Sequence, residues 1–359
     1  MSKAAILGMD VGGQSIRSAL YHIEDASLSP VPFWEHREPT ARGVEAHGQQ
    51  MARIIILAAE QANPLIAIGV GSPGRFDAEG KIKPGSNPNV GMAVHEFDGV
   101  NLADLYRTNL PEAFRNIPLN VRNDADAMLA GMIHAIQQEK LSSLSANEIE
   151  GRTLALFGLG TGLGHSIVKL DNTGGYQFVT DGHASKLRLP IDQEDIAFVL
   201  EAAAYATSLT GAEELVMLDE HTIRAEDVCR SRMVNAMARV EHGSEIDITK
   251  HEQHREAIRI SGKYLGRLMG MIHRRETEDI ELANGWNEAE KAQAAETTLY
   301  LFGGGLGESP LGLQMIESAK TELTAQGIGS IRLEQLIVQN AASFAAALMA
   351  SQDHVMEEA

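Results

Sequence analysis

Short apolar runs closed by glycine turns recur along this chain, separated by longer stretches of helical period. In Thr153–Lys169, TLALFGLGTGLGHSIVK, the run Leu154–Phe157 meets a turn built from Gly158, Gly160, Gly162 and Gly164, and a second apolar run follows. This pattern predicts strand, glycine turn, strand. Ala4–Ala19, AAILGMDVGGQSIRSA, repeats it with Asp10 at the end of the first strand and a turn through Gly12 and Gly13. Two copies predict an internal duplication. Leu299–Gly307, LYLFGGGLG, is a third strand running into glycines, and Ser309-Pro310 behind it supplies an N-cap and an N1 proline for a helix.

Leu65–Gly71, Leu119–Arg122 and Ile331–Leu333 read as further short strands, and Asp25–Pro32 as the turn into a third strand after the first hairpin. Helical period marks Glu45–Asn63, with Met51, Ile54, Ile55 and Ala58 on one face and a stop at Asn63-Pro64. It also marks Ala125–Gln138, Ile196–Ser208, Ile248–Arg275 (stripe Ile258, Leu265, Leu268, Ile272) and the alanine-rich Leu336–Met349, before a frayed acidic tail. Arg274–Thr297 is polar and reads as a solvent-exposed extension. Strands alternating with helices predict an α/β protein.

Composition narrows the function classes. The 359 residues suffice for two domains with separate cores, and 44 % hydrophobic content excludes a disordered chain. A formal charge of −19 argues against a broad nucleic-acid surface or docking on anionic lipid, while leaving room for a nucleotide in a local pocket. The single cysteine, Cys229, excludes an intramolecular disulfide and predicts a buried, inert thiol. Asp10 interrupts the first apolar run before signal-peptide length, and no run approaches the ~18 residues of a membrane span. A soluble, cytoplasmic protein is expected.

The glycine turns offer backbone N–H groups to an anion, with a hydroxyl from Thr161 at the tip of the second; a plain hairpin without ligand remains the alternative. Two such turns facing each other across a cleft would grip one polyphosphate, and Asp10 would stand where a metal hydrate needs a carboxylate. Ser72-Pro73-Gly74 follows a strand's carboxyl end, the usual place for ligands in open α/β sheets. The loop Gly85–Met92 is either a connector or an asparagine-bearing contact for sugar hydroxyls. Asn123 and Asp124 open a helix, so Asp124 is either its N-cap or a general base. Asp181-Gly182-His183 reads as a polar loop, and His251 and His254 as surface residues in a solvated turn.

In this order the motifs resemble the actin-like and sugar-kinase superfamily, and within it the ROK family of bacterial sugar kinases and related glucokinases, from about Ala4 to Ala350. Asp10-Val-Gly-Gly is similar to the first phosphate motif, and Gly69–Asp77 to the loop after the third strand region. Val121–Asp124 resembles the segment of the catalytic aspartate, Gly160–Gly164 the second phosphate motif and Gly303–Gly305 the adenosine motif. The resemblance implies a two-domain actin-like ATPase (ribonuclease H-like) α/β fold with an interdomain cleft. The domains would be 1–124 and 125–359, with a C-terminal helix at about 334–350 packing back on the first. It implies ATP and Mg²⁺, with Mg²⁺ held by Asp10 directly or through water. Gly12, Gly13, Gly160, Thr161 and Gly162 would hold phosphates, and Gly304 and Gly305 adenosine. Asn89, Asn123, Asp124, His183 and Glu201 would contact a sugar, with Asp124 as the base. The resemblance also implies a homodimer.

The chain departs from the family in three places. Leu187–Val199 lacks the family's zinc-binding cysteines, so no zinc site is expected; Thr180 replaces a glutamate three residues before the histidine; Gln14 and Ser15 replace a Thr-Lys or Thr-Asn pair. The reading is an ATP-dependent hexose kinase closing over its substrates to expel water. The alternative is a catalytically weak sugar or nucleotide sensor. A repressor is disfavoured because the first phosphate strand begins at Ala4 and the charge is wrong for DNA. An acyl-phosphate or acetate kinase fits the Asn-Asp segment and the His183/Glu201 pair less well than a polyol kinase. Glucose, another hexose and an N-acetylhexosamine all remain open as substrate.

Overall fold

A computed structural model describes the chain apart from residues 1–2, 25–26, 30, 63, 85, 87–89, 94, 139–143, 181–182, 211–220, 244–253, 278–285, 338–340 and 359. It divides into two units, Met1–Gln138 with Val338–Ala359, and Glu139–Ile337. In chain order the first unit holds β1 (Ala5–Val11), β2 (Ser15–Glu24), β3 (Ser27–Leu28), β4 (Trp34–Pro39), α1 (Val44–Gln61), β5 (Leu65–Ser72), α2 (Leu102–Asn109), β6 (Leu119–Asn123) and α3 (Asp124–Gln137). The second begins with α4 (Ala146–Ile149), β7 (Thr153–Leu159), β8 (Leu163–Leu170), β9 (Tyr176–Thr180), β10 (Arg188–Pro190) and α5 (Gln193–Thr210). It continues through β11 (Thr222–Arg224), α6 (Ala225–Cys229), α7 (Ser231–His242), α8 (Arg255–His273), α9 (Glu288–Ala295), β12 (Thr297–Gly303), α10 (Gly304–Gly307), α11 (Pro310–Ala325) and β13 (Arg332–Gln335). The last helix, α12 (Ala341–Glu358), belongs to the first unit.

The expected duplication is visible in the sheets. The first runs β3-β2-β1-β5-β6, with β4 also on β2; the second runs β9-β8-β7-β12-β13. In each, a glycine-turn hairpin (β1/β2, β7/β8) is followed outward by two parallel strands, β5 and β6 or β12 and β13. Parallel neighbours bring the carboxyl ends of β1, β5 and β6 to one edge, and that edge carries Asp10, Ser72 and Asn123.

Alternation along β1 and β2 separates the two faces of the first sheet. Leu7, Met9, Val11, Ile16 and Leu20 join Met51, Ile54, Ile55 and Ala58 of α1 in one core. Ile6, Ala19, Tyr21 and Ala67 meet Phe344, Ala347 and Ala350 of α12 on the other. There the backbones themselves approach: a Cβ on Gly8 would lie 1.9 Å from the Ser343 carbonyl oxygen, and one on Gly69 1.8 Å from that of Ala346. Small residues on both partners therefore fix the depth at which α12 sits. A boundary after Asp124 would separate α3 from this core. The chain crosses to the second unit after Gln138 instead, because α3 packs on β5 and α12, and a Cβ on Gly131 would stand 2.5 Å from the Ala341 carbonyl oxygen.

In the second unit Phe157, Leu159, Ile167, Tyr300 and Phe302 form a core with Leu265, Leu268 and Met269 of α8 and Met315 and Ile316 of α11. The rings of Phe157 and Tyr300 stack 5.5 Å apart. Buried Asp195 ties α5 to α8, accepting from Lys263 Nζ at 2.9 Å, the Tyr264 hydroxyl at 3.0 Å and Arg259. Burial works to raise its carboxyl, but the bonds from these three partners prevail and hold it below the usual range. Cys229 is buried, which pushes its thiol up and keeps it unreactive.

Three expectations are corrected. The segment read as an extension contains α9, whose Asn287 cap bonds Ala289 and Glu290, and Trp286, which is buried and stacked on His165 at 5.9 Å. Helix α8 starts at Arg255, and His254, expected at the surface, is only 1 % exposed because it turns inward toward the end of α7. The elements α2, α4, β9, β10, β11, α6 and α7 are additional to those the periodicity marked, and β3 lies within the stretch read as a turn. Among the described residues no helix is long and apolar enough to cross a membrane.

Candidate functional site

In the first unit, β1 delivers Asp10 to the strand's carboxyl end, one residue before its last. The turn beyond it is closed by Gly12 N–H donating to the Ser15 carbonyl at 3.0 Å. Thr40, just past β4, braces the turn: its hydroxyl donates to the Gly12 carbonyl at 2.6 Å and its N–H to that of Gln14 at 3.2 Å. Register places Arg17 beside Asp10 on the hairpin and Gly71 beside it on β5; Gly71 in turn pairs with Arg122, and Ser72 with Asn123. A Cβ on Gly71 would lie 3.3 Å from the Ala127 Cβ and 3.7 Å from the Asp124 Cα. Glycine there keeps side-chain bulk out of the interval between the strand bearing Asp10 and the helix bearing Asp124.

Asp124 is the first residue of α3, and its neighbour is the cap. Asn123 Oδ1 accepts from Ala125 N–H at 2.9 Å and Asp126 N–H at 3.2 Å, while its Nδ2 donates to the Gly74 carbonyl at 2.8 Å. Of the two readings of Asp124, the N-cap is therefore ruled out. The same bonds commit the Asn123 side chain to holding the Ser72–Gly74 loop and the helix start, with one amide hydrogen left for a ligand. The Asp124 carboxylate accepts from Ala125 N–H at 2.9 Å. Burial first, and then the charge of Asp10, push its carboxyl up to about 6. Burial also raises Asp10, with Arg17 opposing. Two acidic groups are thus held close enough to affect each other, in surroundings that disfavour a second negative charge.

In the second unit, the β7–β8 turn is closed by Gly160 N–H donating to the Gly162 carbonyl at 3.0 Å, and Ser231 N–H donates to the Gly160 carbonyl at 2.8 Å. Among the described residues, nothing beyond its chain neighbours lies within 4 Å of where a Cβ on Gly160 would be, whereas one on Gly162 would meet Glu226 Oε1 at 3.1 Å. Glu226 is ion-paired with Lys186. The glycines ending β12 stand beside this turn, since Gly303 pairs with Gly158. Gly304 has φ of +82°, and a Cβ there would sit 2.9 Å from the Leu159 carbonyl oxygen; beside Gly305 the space is open. Gly304 N–H donates to Glu308 Oε1 at 3.1 Å.

The structure therefore gathers Asp10, Gly12, Gly13, Asn123 and Asp124 at one sheet edge, and Gly160, Thr161, Gly162, Gly304 and Gly305 at another. Glu201 lies exposed on α5. Asn89 and the side chains of Thr180 and His183 lie outside the described residues. Arg17, Thr40 and Gly71 join the first edge without having been marked in the sequence. Arg17 has a legible signal, a cation four residues after a glycine turn; Thr40 and Gly71 become visible only through pairing.

No family model matches the sequence, and no curated protein matches it. Solved structures share its fold. A glucokinase from Balamuthia mandrillaris in complex with glucose superposes with a TM-score of 0.67 at 16 % identity, over 98 % of this chain and 94 % of that one. A ROK hexokinase from Thermus thermophilus gives 0.58 at 17 % identity, over 99 % and 100 %. A ROK family glucokinase from Streptomyces griseus, in complex with glucose and AMPPNP, gives 0.57 at 15 % identity, over 97 % and 99 %. The chain thus has the two-unit α/β fold of these proteins along its whole length.

Proposed function

We propose that this chain is an ATP-dependent sugar kinase of the ROK type, transferring the γ-phosphate of Mg-ATP to a hydroxyl of a hexose. The observation that carries the reading is the pair Asp10 and Asp124 at the carboxyl edge of one sheet, with Asp124 raised to about 6 by burial and by Asp10. A carboxylate in that range is a better proton acceptor than an ordinary aspartate and is still ionised at neutral pH. Asp124 would accept the proton of the attacking sugar hydroxyl while that oxygen bonds to phosphorus and the bond to the leaving ADP oxygen breaks. Its bond from Ala125 N–H holds Oδ1 at the helix start, and the carboxylate so held would take the proton.

The residues fit the groups that the reaction needs. Asp10 is a carboxylate whose burial penalises its charge, a penalty that a divalent cation removes. The space beside Gly160 and Gly305 is open to backbone approach. Mg²⁺ at Asp10 would neutralise phosphate charge during transfer. Gly12 and Gly160 spend their own N–H groups closing the turns and would let phosphate approach the backbone, while the N–H groups of Gly13, in a turn braced by Thr40, and of Gly162, with the Thr161 hydroxyl, would donate to it. Gly304 and Gly305 would accommodate adenosine, and Asn123, Asn89, His183 and Glu201 the sugar.

A coupled assay of ADP release with Mg-ATP tests this against hexoses, N-acetylhexosamines and a blank without sugar. Glucose heads the panel because two of the superposed structures hold it. Sugar-dependent ADP release that D124N removes supports the reading. If no sugar raises ADP above the blank while calorimetry records sugar or nucleotide binding, the protein is a sensor and the kinase reading fails.

A further inference from the structure

A second constellation lies in the second unit, where α7 ends and α8 begins. Helix α7 stops at His242 with Gly243 left-handed at φ 66°, and α8 starts at Arg255 with His254 in the cap position. The His254 side chain makes no cap bond; it is buried and stands edge-on to His242, ring centroids 4.9 Å apart. Glu241 completes the group. Its Oε2 accepts from Glu256 N–H at 3.2 Å, and its Oε1 lies 3.8 Å from His242 Nε2. One ligand atom from each of Glu241, His242 and His254 lies within 4.8 Å of the other two.

We propose that Glu241, His242 and His254 bind a divalent transition metal of the zinc class. Two imidazole nitrogens and one carboxylate oxygen are the ligand types that zinc takes, with a fourth position left for water. Zinc–ligand bonds of about 2.0–2.2 Å bring tetrahedral ligand atoms to roughly 3.3 Å from one another, so the triad must tighten modestly. The member able to move is His242, which is exposed and also gives the ion a path in. The other two are held, His254 by burial and Glu241 by its bond to the start of α8, as an outer hydrogen bond orients a metal-ligating carboxylate. Oxygen-selective Mg²⁺ and Ca²⁺ would be poorly served by two imidazoles. The ion would clip α7 to α8, helices whose apolar faces share one core. This place is separate from Leu187–Val199, where the resembled kinases carry zinc on cysteines that this chain lacks.

The test uses the full chain stripped with EDTA, without sugar or nucleotide, so its outcome is independent of the proposed activity. Zn²⁺ is titrated against a chromophoric chelator, and Co²⁺ is added to read coordination from its visible absorption. One equivalent should bind, with a four-coordinate Co²⁺ spectrum and a raised melting temperature. His242→Ala, at an exposed position that leaves the core intact, should weaken binding by about tenfold or more and abolish the melting shift. Glu241→Gln should weaken it as well. If wild type, H242A and E241Q take up zinc alike, the ion sits on other histidines among the thirteen in the chain and the proposal is overturned. A wild-type protein that takes up no zinc overturns it equally.

Discussion

Replacing Asp124 by Asn removes a charge while keeping the shape and the oxygen that accepts from Ala125 N–H. Moving a carboxyl from its ordinary 3.8 to about 6 corresponds to about 3 kcal/mol in favour of the protonated form. Because the folded state holds this proton more tightly than the unfolded chain does, ionised Asp124 costs stability. The cost is absent below about pH 4, grows as pH rises, and is complete above about 6. D124N escapes it. In EDTA, its melting temperature should match wild type near pH 4 and exceed it at pH 8. About 3 kcal/mol sets a ceiling of roughly 6–12 °C for a unit of this size, and relaxation around the charge reduces the observed gain. The same variant should lose about 10² or more in turnover, the usual contribution of a general base. Calorimetric melting at four pH values and the ADP assay give both readouts. A D124N protein no more stable than wild type at pH 8 would refute the electrostatic account, and near-normal turnover would remove the base assignment.

On the acidic side, log kcat/KM with sugar should rise with pH and level off near 6, as Asp124 loses its proton; a profile flat from pH 5 to 8 would exclude it as the group that titrates. Thr40→Ala deletes the hydroxyl bond to Gly12, so it should cost about 1 kcal/mol in melting and raise KM for ATP, with Thr40→Ser restoring both. Gly69→Ala places a methyl 1.8 Å from the Ala346 carbonyl oxygen, and should destabilise the first unit by about 1–3 kcal/mol or more, read by denaturant melts. Asp195→Ala removes the buried acceptor shared by Lys263, Arg259 and the Tyr264 hydroxyl; because Asp192 still pairs with Lys263 and Glu256 with Arg259, it should cost about 1–3 kcal/mol, measured the same way.

The hairpins and most long helices were legible because each rests on local chemistry: glycine where the chain reverses, apolar period along one face. Ser309-Pro310 announced α11 in the same way, and its hydroxyl accepts from Gly312 N–H. Burial of polar residues was not legible. His254 and Trp286 sit in charged stretches whose composition reads as solvated, and only tertiary partners, α7 for one and His165 for the other, draw them in. The site was legible in part. Its carboxylates and glycines carry a pattern, but choosing Asn123 over Asp124 as the cap required the helix's own hydrogen bonds, and Gly71 matters only because β5 runs between β1 and β6.

The place of α12 bears on how the protein is made. The first unit's opening strands leave the ribosome early, yet the helix that covers Ile6, Ala19, Tyr21 and Ala67 is translated only after the whole second unit. The second unit is contiguous in sequence, so it has all its own residues before that lid arrives. Nascent chains therefore carry an uncovered apolar sheet face through most of synthesis, the kind of surface that chaperones hold and that aggregates when they do not. A chain stopped after Ile337 would be arrested in that state, with one finished half and one that cannot close.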